Sequence, residues 1–423
     1  MRLWYNANRV SVIVQSTGLL QKPSRYNSPG ALAFAKLIKN KPAVFGLMVI
    51  LIAIMIAILG ANIRKDNSLM ANEMLLPIAA QKPGFKVSML KVSKGKDIEH
   101  AGFFQQLFFG GAENPNRYIP ISKYRIKGDE IYYTEYSGDE ENPLPETKIK
   151  LVQVAFGADA ISNSINHDKM SIVAPDGKKT VMLRDQLIEM IKKNYISTET
   201  YWLGTDKYGR DLMSRILAGT IISLSVGLIA VFISLLVGIF MGAVAGYFGG
   251  SIDAAITWLI NVIWSIPTLL LVISITLILG KGFSQIFIAV GLTMWVEVAR
   301  ITRGQFLSLR EKEFVEAAKA LGYRPFRIIF KHILPNAWSP LIVISAGNFA
   351  NAILIEAGLS FLGVGAQPPM PSWGNMIKEH YSYIVLDKAY LALAPGCAIM
   401  LLVLAFTLLG NGLRDALDTR SVN

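Results

Sequence analysis

Glu316-Ala317-Ala318-Lys319-Ala320-Leu321-Gly322, which runs on to His332-Ile333-Leu334-Pro335-Asn336, is a basic, helix-forming stretch lodged between two strongly apolar segments. The flanking segments belong in hydrocarbon, so a polar loop between them must return to water. The chain is therefore a membrane protein with an exposed element available for docking. Glu311, Glu313 and Glu316 come early in the loop and Lys319, Arg324, Arg327 and Lys331 come late, an order that suits a helix macrodipole. Ala317, Ala318 and Ala320 are strong helix formers of small bulk. Gly322 permits a sharp exit, and Pro325 fits the start of a second short helix. The residues predict a helix–turn–helix along one membrane face. Its small-residue face fits a groove in a partner; equally, the segment fits an amphipathic helix resting on anionic lipid.

Composition agrees with the membrane reading. Apolar residues make up 52% of the chain and charged residues only 17%, too greasy for an ordinary soluble protein. The net charge of +12 is uneven: residues 1–41 hold seven Lys and Arg and no Asp or Glu. The segment from Arg300 to Lys331 is also basic, whereas 61–200 is nearly balanced. These basic runs flank apolar spans, the positive-inside pattern, instead of striping a soluble domain as in a nucleic-acid binder. The lone cysteine, Cys397, makes no intrachain disulfide or metal cluster and reads as a small buried hydrophobe.

Six windows approach the roughly twenty apolar residues needed to span a bilayer: 43–61, 221–246, 252–279, 283–301, 341–362 and 389–410. The second holds fifteen Leu, Ile, Val and Phe and no charge. At roughly −0.3 to −0.6 kcal/mol each, its insertion is favoured by several kcal/mol. Glu297 sits in the fourth, where one central acid costs about 2.5–3.5 kcal/mol, a cost the span survives. The first window starts too far in, and is too long, for a signal peptide, and reads as a retained anchor. Lys36, Lys39 and Lys41 put the N-terminus in the cytoplasm. Six crossings return the C-terminus, with Arg414 and Arg420, to that side, and the loop 302–340 lands there too. Gly238, Gly242 and Gly246 form a small-residue ridge that reads as generic helix packing within the bundle. Pro267 predicts a kink in the third span.

The predicted organisation is a basic N-terminal segment (1–41), a first transmembrane helix (42–61), an extracytoplasmic α+β insert (62–200), and a membrane core (201–423) with five more helices and the loop 302–340. In the insert, 122–136 reads as a hairpin turning at Lys127-Gly128-Asp129, 149–156 as a strand, and 170–174 and 180–183 as strands around Pro175-Asp176-Gly177-Lys178. Residues 184–194 read as a short helix, 139–143 as a solvated loop, and His100 and His167 as surface histidines without metal-ligand spacing.

Glu316-Ala317-Ala318, Gly322 and Leu334-Pro335 resemble the EAA loop of binding-protein-dependent ABC importer permeases. The His332-Ile333-Leu334-Pro335-Asn336 ending resembles the peptide and nickel branch. Two further stretches resemble that branch: Leu203-Gly204-Thr205-Asp206-Lys207-Tyr208-Gly209-Arg210-Asp211 with Ser214-Arg215, and Leu359-Ser360-Phe361-Leu362-Gly363-Val364-Gly365-Ala366-Gln367-Pro368-Pro369-Met370-Pro371-Ser372-Trp373-Gly374. Their order, behind an N-terminal span, is similar to the second (C-type) permease subunit of dipeptide and oligopeptide transporters. The resemblance covers 28–61 and 200–420; the segment 62–200 is longer than is usual in that family.

The resemblance implies an all-α polytopic subunit paired with a second, homologous permease. Beneath it would sit two ATPase subunits that bind ATP and Mg, and an extracytoplasmic solute-binding protein would deliver peptide. The chain has no Walker-type phosphate loop and so hydrolyses no ATP. It carries no cofactor, metal or catalytic residue in this reading, and it resides in the bacterial inner membrane. Glu316, Ala317, Ala318 and Gly322 are expected to form the ATPase-docking face, with Pro335 and Asn336 stiffening the return to the fifth span. Gly204, Asp206, Gly209, Arg210 and Asp211 are expected as a structural motif at the outer mouth, where Arg210 and Asp211 pair with each other, pair with the loop after the fifth span, or cap the entrance to the second span. Gln367, Pro368 and Trp373 are expected at the outer mouth, Trp373 alternatively as an interfacial anchor. Other readings are import of nickel chelates by the same machine, and a membrane-anchored sensor or scaffold. A stand-alone secondary transporter would have to use Glu297, partnered by Arg300 one turn away.

Overall fold

Residues 41–63 illustrate how the bundle is built. Asn40 caps the helix by accepting from the Ala43 amide at 3.2 Å, a proline follows at the first turn, and no charge interrupts it until Arg64. Its outer face leaves Phe45, Met48, Leu51, Met55 and Ile58 exposed. In water each would forgo on the order of 1–2 kcal/mol of burial free energy, so that face is a lipid face. The computed structural model describes residues 29–95, 114–138, 142–166, 169–175, 177–280 and 282–418. His100, His167, the acidic residues 139–141, Asp176 and Arg420 lie outside the described residues.

In chain order the helices are α1 (Pro29–Lys39), α2 (Lys41–Ile63), α3 (Leu151–Phe156), α4 (Arg184–Met190), α5 (Leu212–Phe248), α6 (Gly250–Trp264), α7 (Thr268–Leu279), α8 (Phe283–Leu309), α9 (Glu313–Ala320), α10 (Pro325–Ile328), α11 (Trp338–Leu362), α12 (Trp373–His380) and α13 (Tyr390–Leu417). Among the described residues, α2, α5, α8, α11 and α13 are long and apolar enough to cross a membrane, and α6 with α7 forms a bent pair that passes the same test together. The expected kink at Pro267 is a break. It separates two helices at 94°, because proline has no N–H to continue the ladder and Pro267 itself adopts an extended backbone, with ψ 125°.

The glycine ridge packs on α8. A Cβ at Gly238 would lie 2.5 Å from Val298 Cβ, one at Gly242 2.5 Å from the Ala299 carbonyl, and one at Gly246 2.6 Å from Phe306 Cβ. Rising numbers on α5 therefore meet rising numbers on α8, so the two helices run parallel. On α13, Ala405 meets Gly46 and Gly412 meets Ala43, so α13 runs antiparallel to α2.

Between α2 and α5 lies a sheet region with strands β1 (Phe85–Ser93), β2 (Asn116–Lys127), β3 (Glu130–Glu135), β4 (Thr147–Lys150), β5 (Ile161–Asn166), β6 (Lys169–Val173), β7 (Lys179–Leu183) and β8 (Ile196–Tyr201). Five form an antiparallel sheet in the order β4-β3-β2-β1-β8, and three form a second, β5-β6-β7. The expected β2–β3 hairpin is present, with Ile126 opposite Ile131 and Gly128 in the turn at φ 68°. The expected strand over 149–156 is corrected. Only its start pairs, and 151–156 forms α3, which buries Leu151, Val152, Val154 and Ala155 under the sheet with Leu90, Ile119, Ile131 and Ile172. Cys397 is exposed on α13, contrary to the expected burial.

Candidate functional site

The elbow between α8 and α11 lies at the end of the bundle opposite the sheet. Lys312 precedes α9, and α9 stops at Leu321 and Gly322, the latter in a left-handed conformation with φ 73°. Pro325 opens α10 at its first turn. Val315, Ala318, Ile328, Ile329 and Ile333 are buried against Phe306 of α8 and Ala243 of α5. The elbow is thus packed onto the bundle by one apolar face while its other face remains open. Glu316, Ala317 and Gly322 lie on the open side, with Phe314, Leu321 and Phe326 exposed nearby. Ala318 belongs to the inner face, which corrects its expected place in a docking surface. Pro335 and Asn336 are exposed, and the Asn336 amide donates to the His332 carbonyl at 2.6 Å, tightening the return into α11. The Tyr323 and His332 rings stack at 5.7 Å, and the Arg327 guanidinium lies 4.3 Å from the Tyr323 ring centre. That stack ties the two halves of the elbow together.

At the other end, residues 203–211 form a tight knot. Gly204 and Gly209 have φ 77° and 75°, and a Cβ on either would collide with the backbone carbonyls of Gln81 and Leu75. Asp206, fully buried, accepts from Arg210 Nε at 2.6 Å, from the Arg210 amide at 3.0 Å and from the Tyr208 amide at 2.8 Å. Arg210 also donates to Glu379 of α12 at 3.2 Å and to Asn72 at 2.9 Å. Asp211 caps α5 by accepting from the Ser214 amide at 2.9 Å, and burial raises its pKa above the usual carboxylate value. Asp211 thus caps the helix and Arg210 reaches α12 after the fifth span, while the expected pairing of Arg210 with Asp211 is replaced by pairs to Asp206 and Glu379. Burial lowers the pKa of His380, whose ring meets the Met376 carbonyl at 2.7 Å.

Gln367 donates to the carbonyls of Gly363 and Gly365 at 3.3 and 2.9 Å, and Pro368-Pro369 is a cis bond. Trp373 is buried and donates to the Ile216 carbonyl at 3.0 Å, so it locks α12 to α5 and is no interfacial anchor. Ser360 and Ser372 both donate to Glu356 at 2.7 Å. Glu356, fully enclosed within α11, was missed by the sequence reading; the signal was one acid inside the fifth apolar window. Glu297 is exposed at the middle of α8, and the expected partner Arg300 instead lies 3.2 Å from the Trp264 ring centre. Between α2, the sheet and α5, a cavity of about 120 Å³ holds Lys65, Asp66, Glu73, Glu199 and Asp211. There, burial first and then the Asp66 charge push Glu73 up to about 7.

A bundle of lipid-faced helices with an elbow held at one end and a charge knot at the other defines a polytopic membrane protein of the permease class. Residues 234–422 match the binding-protein-dependent transport system inner membrane component family, and residues 28–77 match the N-terminal transmembrane domain of oligopeptide transport permease C. The dipeptide transport system permease protein DppC of Alkalihalophilus pseudofirmus is 44% identical over 52% of this chain and 72% of that protein. The glutathione transport system permease protein GsiD of Pectobacterium atrosepticum is 41% identical over 53% of this chain and 74% of its own length. The dipeptide permease DppC of Bacillus subtilis is 39% identical over 59% of this chain and 78% of that protein. The chain belongs to the binding-protein-dependent transport system permease family. Its role is that of the multi-pass membrane component of an ABC importer, distinct from the catalytic subunit.

Proposed function

We propose that this chain forms half of a membrane pathway for short peptides and transmits the work of ATPase subunits through the elbow at 313–337. The observation that carries the substrate class is the identity to permeases named for a dipeptide and for glutathione, both short peptides. The physical support for coupling is the elbow itself. One face is packed on Phe306 and Ala243, so a push on the other, bearing Glu316, Ala317 and Gly322, moves α8 and α5 with it.

Six crossings fit the helix directions. The parallel run of α5 and α8 supports a return crossing between them, and among the described residues the bent pair α6–α7 is the segment that would supply it. Asp253 at its start pairs with Arg303 near the elbow end of α8 (Nη2 to Oδ2, 2.7 Å), while Val272 packs with Ala230 and Val290 farther along. The start of α2, the end of α13 and the elbow then share one end, and the basic residues Lys36, Lys39, Lys41 and Arg414 beside them favour the cytoplasm for it. The sheet region 62–200 then stands outside, on the side where a solute-binding protein delivers cargo. A second permease completes the pathway, two ATPases below bind ATP and Mg, and this chain needs no cofactor of its own.

The test is reconstitution of the complete complex in proteoliposomes with a labelled dipeptide. ATP-dependent accumulation that an unlabelled dipeptide competes away and a nickel chelate does not supports the reading. Accumulation competed only by the chelate, or recovery of the chain without any ATPase, contradicts it.

A further inference from the structure

Glu297 places an acid at the centre of a crossing helix. It lies twelve residues from Leu309, about 18 Å from the elbow end at 1.5 Å per residue. Its neighbours Thr293, Met294, Val296 and Val298 are buried, yet Glu297 is exposed. A carboxylate turned toward hydrocarbon at that depth costs about 2.5–3.5 kcal/mol or more, so this face of α8 is not lipid-facing. Glu297 opens into a cavity of about 250 Å³ that also touches Trp264, Thr268 and Asn351. That cavity sits at the break between α6 and α7. Arg300, the nearest cation along the helix, is engaged on the Trp264 ring and leaves the carboxylate without its expected counter-ion. Asn351 and Leu354 also line a second groove of about 810 Å³, which runs past Gly347 and Thr407 to Asn411 and Arg414 at the elbow end. The two spaces share Asn351 and Leu354, and Glu297, Asn351, Thr407, Asn411 and Arg414 are polar groups set along their otherwise largely apolar walls.

We propose that Glu297, with Asn351 beside it, is the point in the translocation route that receives the α-ammonium of a passing peptide. The inference rests on the peptide-import reading for the identity of the cation. The geometry favours a cation in any case. A carboxylate accepts charge-assisted hydrogen bonds from an ammonium, and the Asn351 amide supplies a neutral partner for the adjoining peptide group. The enclosed Glu356 cannot serve, since Ser360 and Ser372 bind it inside the protein.

The experiment uses the complete transporter in proteoliposomes, with Cys397→Ser as background and Asn351→Cys as the reporter. Methanethiosulfonate reagents carrying an ammonium or a sulfonate are compared with and without Glu297→Gln. A nearby negative charge should favour the ammonium reagent, and E297Q should lower the ammonium-to-sulfonate rate ratio by roughly tenfold. In the Asn351 background, E297Q should also lower labelled-dipeptide uptake by roughly tenfold, the loss of one charge-assisted contact, in complexes recovered with all their subunits, and Glu297→Asp should restore part of it. An unchanged ratio, no labelling by either reagent, or wild-type uptake in E297Q overturns the proposal. Loss of the second permease from the E297Q complex makes the carboxylate an assembly contact and overturns it too. If the wild-type complex moves no peptide, the peptide reading fails separately; the reagent ratio still decides whether Glu297 sets the charge of the route.

Discussion

Replacing Asp206 by alanine tests whether the knot at residues 203–211 holds the sheet region to the bundle. Asp206 is the sole carboxylate within 4 Å of both Arg210 and Arg215, at 2.6 and 3.7 Å among the described residues. It also satisfies the amides of Tyr208 and Arg210. Its removal leaves two nearly buried guanidinium groups with one remaining acid, Glu379, and orphans two backbone donors. Breaking one buried pair costs about 3–5 kcal/mol, and the unsatisfied donors add about 1–3 kcal/mol each where water cannot enter. Partial hydration brings the total to roughly 4–6 kcal/mol, an apparent melting drop of roughly 5–10 °C in a chain of this size. The assay is thermal unfolding of the purified protein in detergent, followed by tryptophan fluorescence. Because the penalty comes from stranded cations, Arg210→Met added to D206A should recover part of the loss, and the cycle should show coupling above about 1 kcal/mol. A drop below about 2 °C, or strictly additive effects, would refute the role assigned to the knot.

Three other outcomes are expected. Gly242→Leu should separate α5 from α8, since even a Cβ meets Ala299 O at 2.5 Å and Thr302 Cβ at 2.6 Å, and should cost about 3 kcal/mol or more; Gly304→Ala, with nothing within 4 Å, should be nearly neutral in the same melt. Glu73 holds its proton up to about pH 7 when folded but only to about 4.5 when unfolded, so the folded state binds more protons between those values and stability falls as pH rises through them. Glu73→Gln should therefore match wild type near pH 5 and exceed it near pH 8, by on the order of 1 kcal/mol after allowance for partial exposure, with equal melts at pH 8 the contrary result. Gly322→Val should strain the left-handed position by about 1–2 kcal/mol without any clash; uptake should fall while the amount inserted in the membrane does not.

The crossing helices were legible because an unbroken apolar run of roughly twenty residues matches the thickness of a bilayer and little else. Their ends were less so. α5 starts at Leu212, nine residues before its apolar window, because Asp211 caps it and buried Arg215 is paired with Asp206. The elbow was legible as two short helices, but not the inward turn of Ala318, which depends on Phe306 and Ala243 packing beneath it. Residues 149–156 misled because a short apolar run fits a strand or a buried helix equally well. Arg210 and Glu379 lie 169 positions apart, and no local pattern announces such a pair. Glu356 was overlooked because its two serine donors come from beyond its own turn, one of them across the loop to α12.

The central claim is that the open face of the elbow meets an ATPase. A photo-crosslinking side chain placed at Ala317, in the complete complex in native membranes, tests it most directly. The account expects an adduct with the ATPase subunit that weakens when crosslinking is attempted from Ala318, which faces inward. An adduct with lipid alone, or with the solute-binding protein on the other side of the membrane, would contradict it.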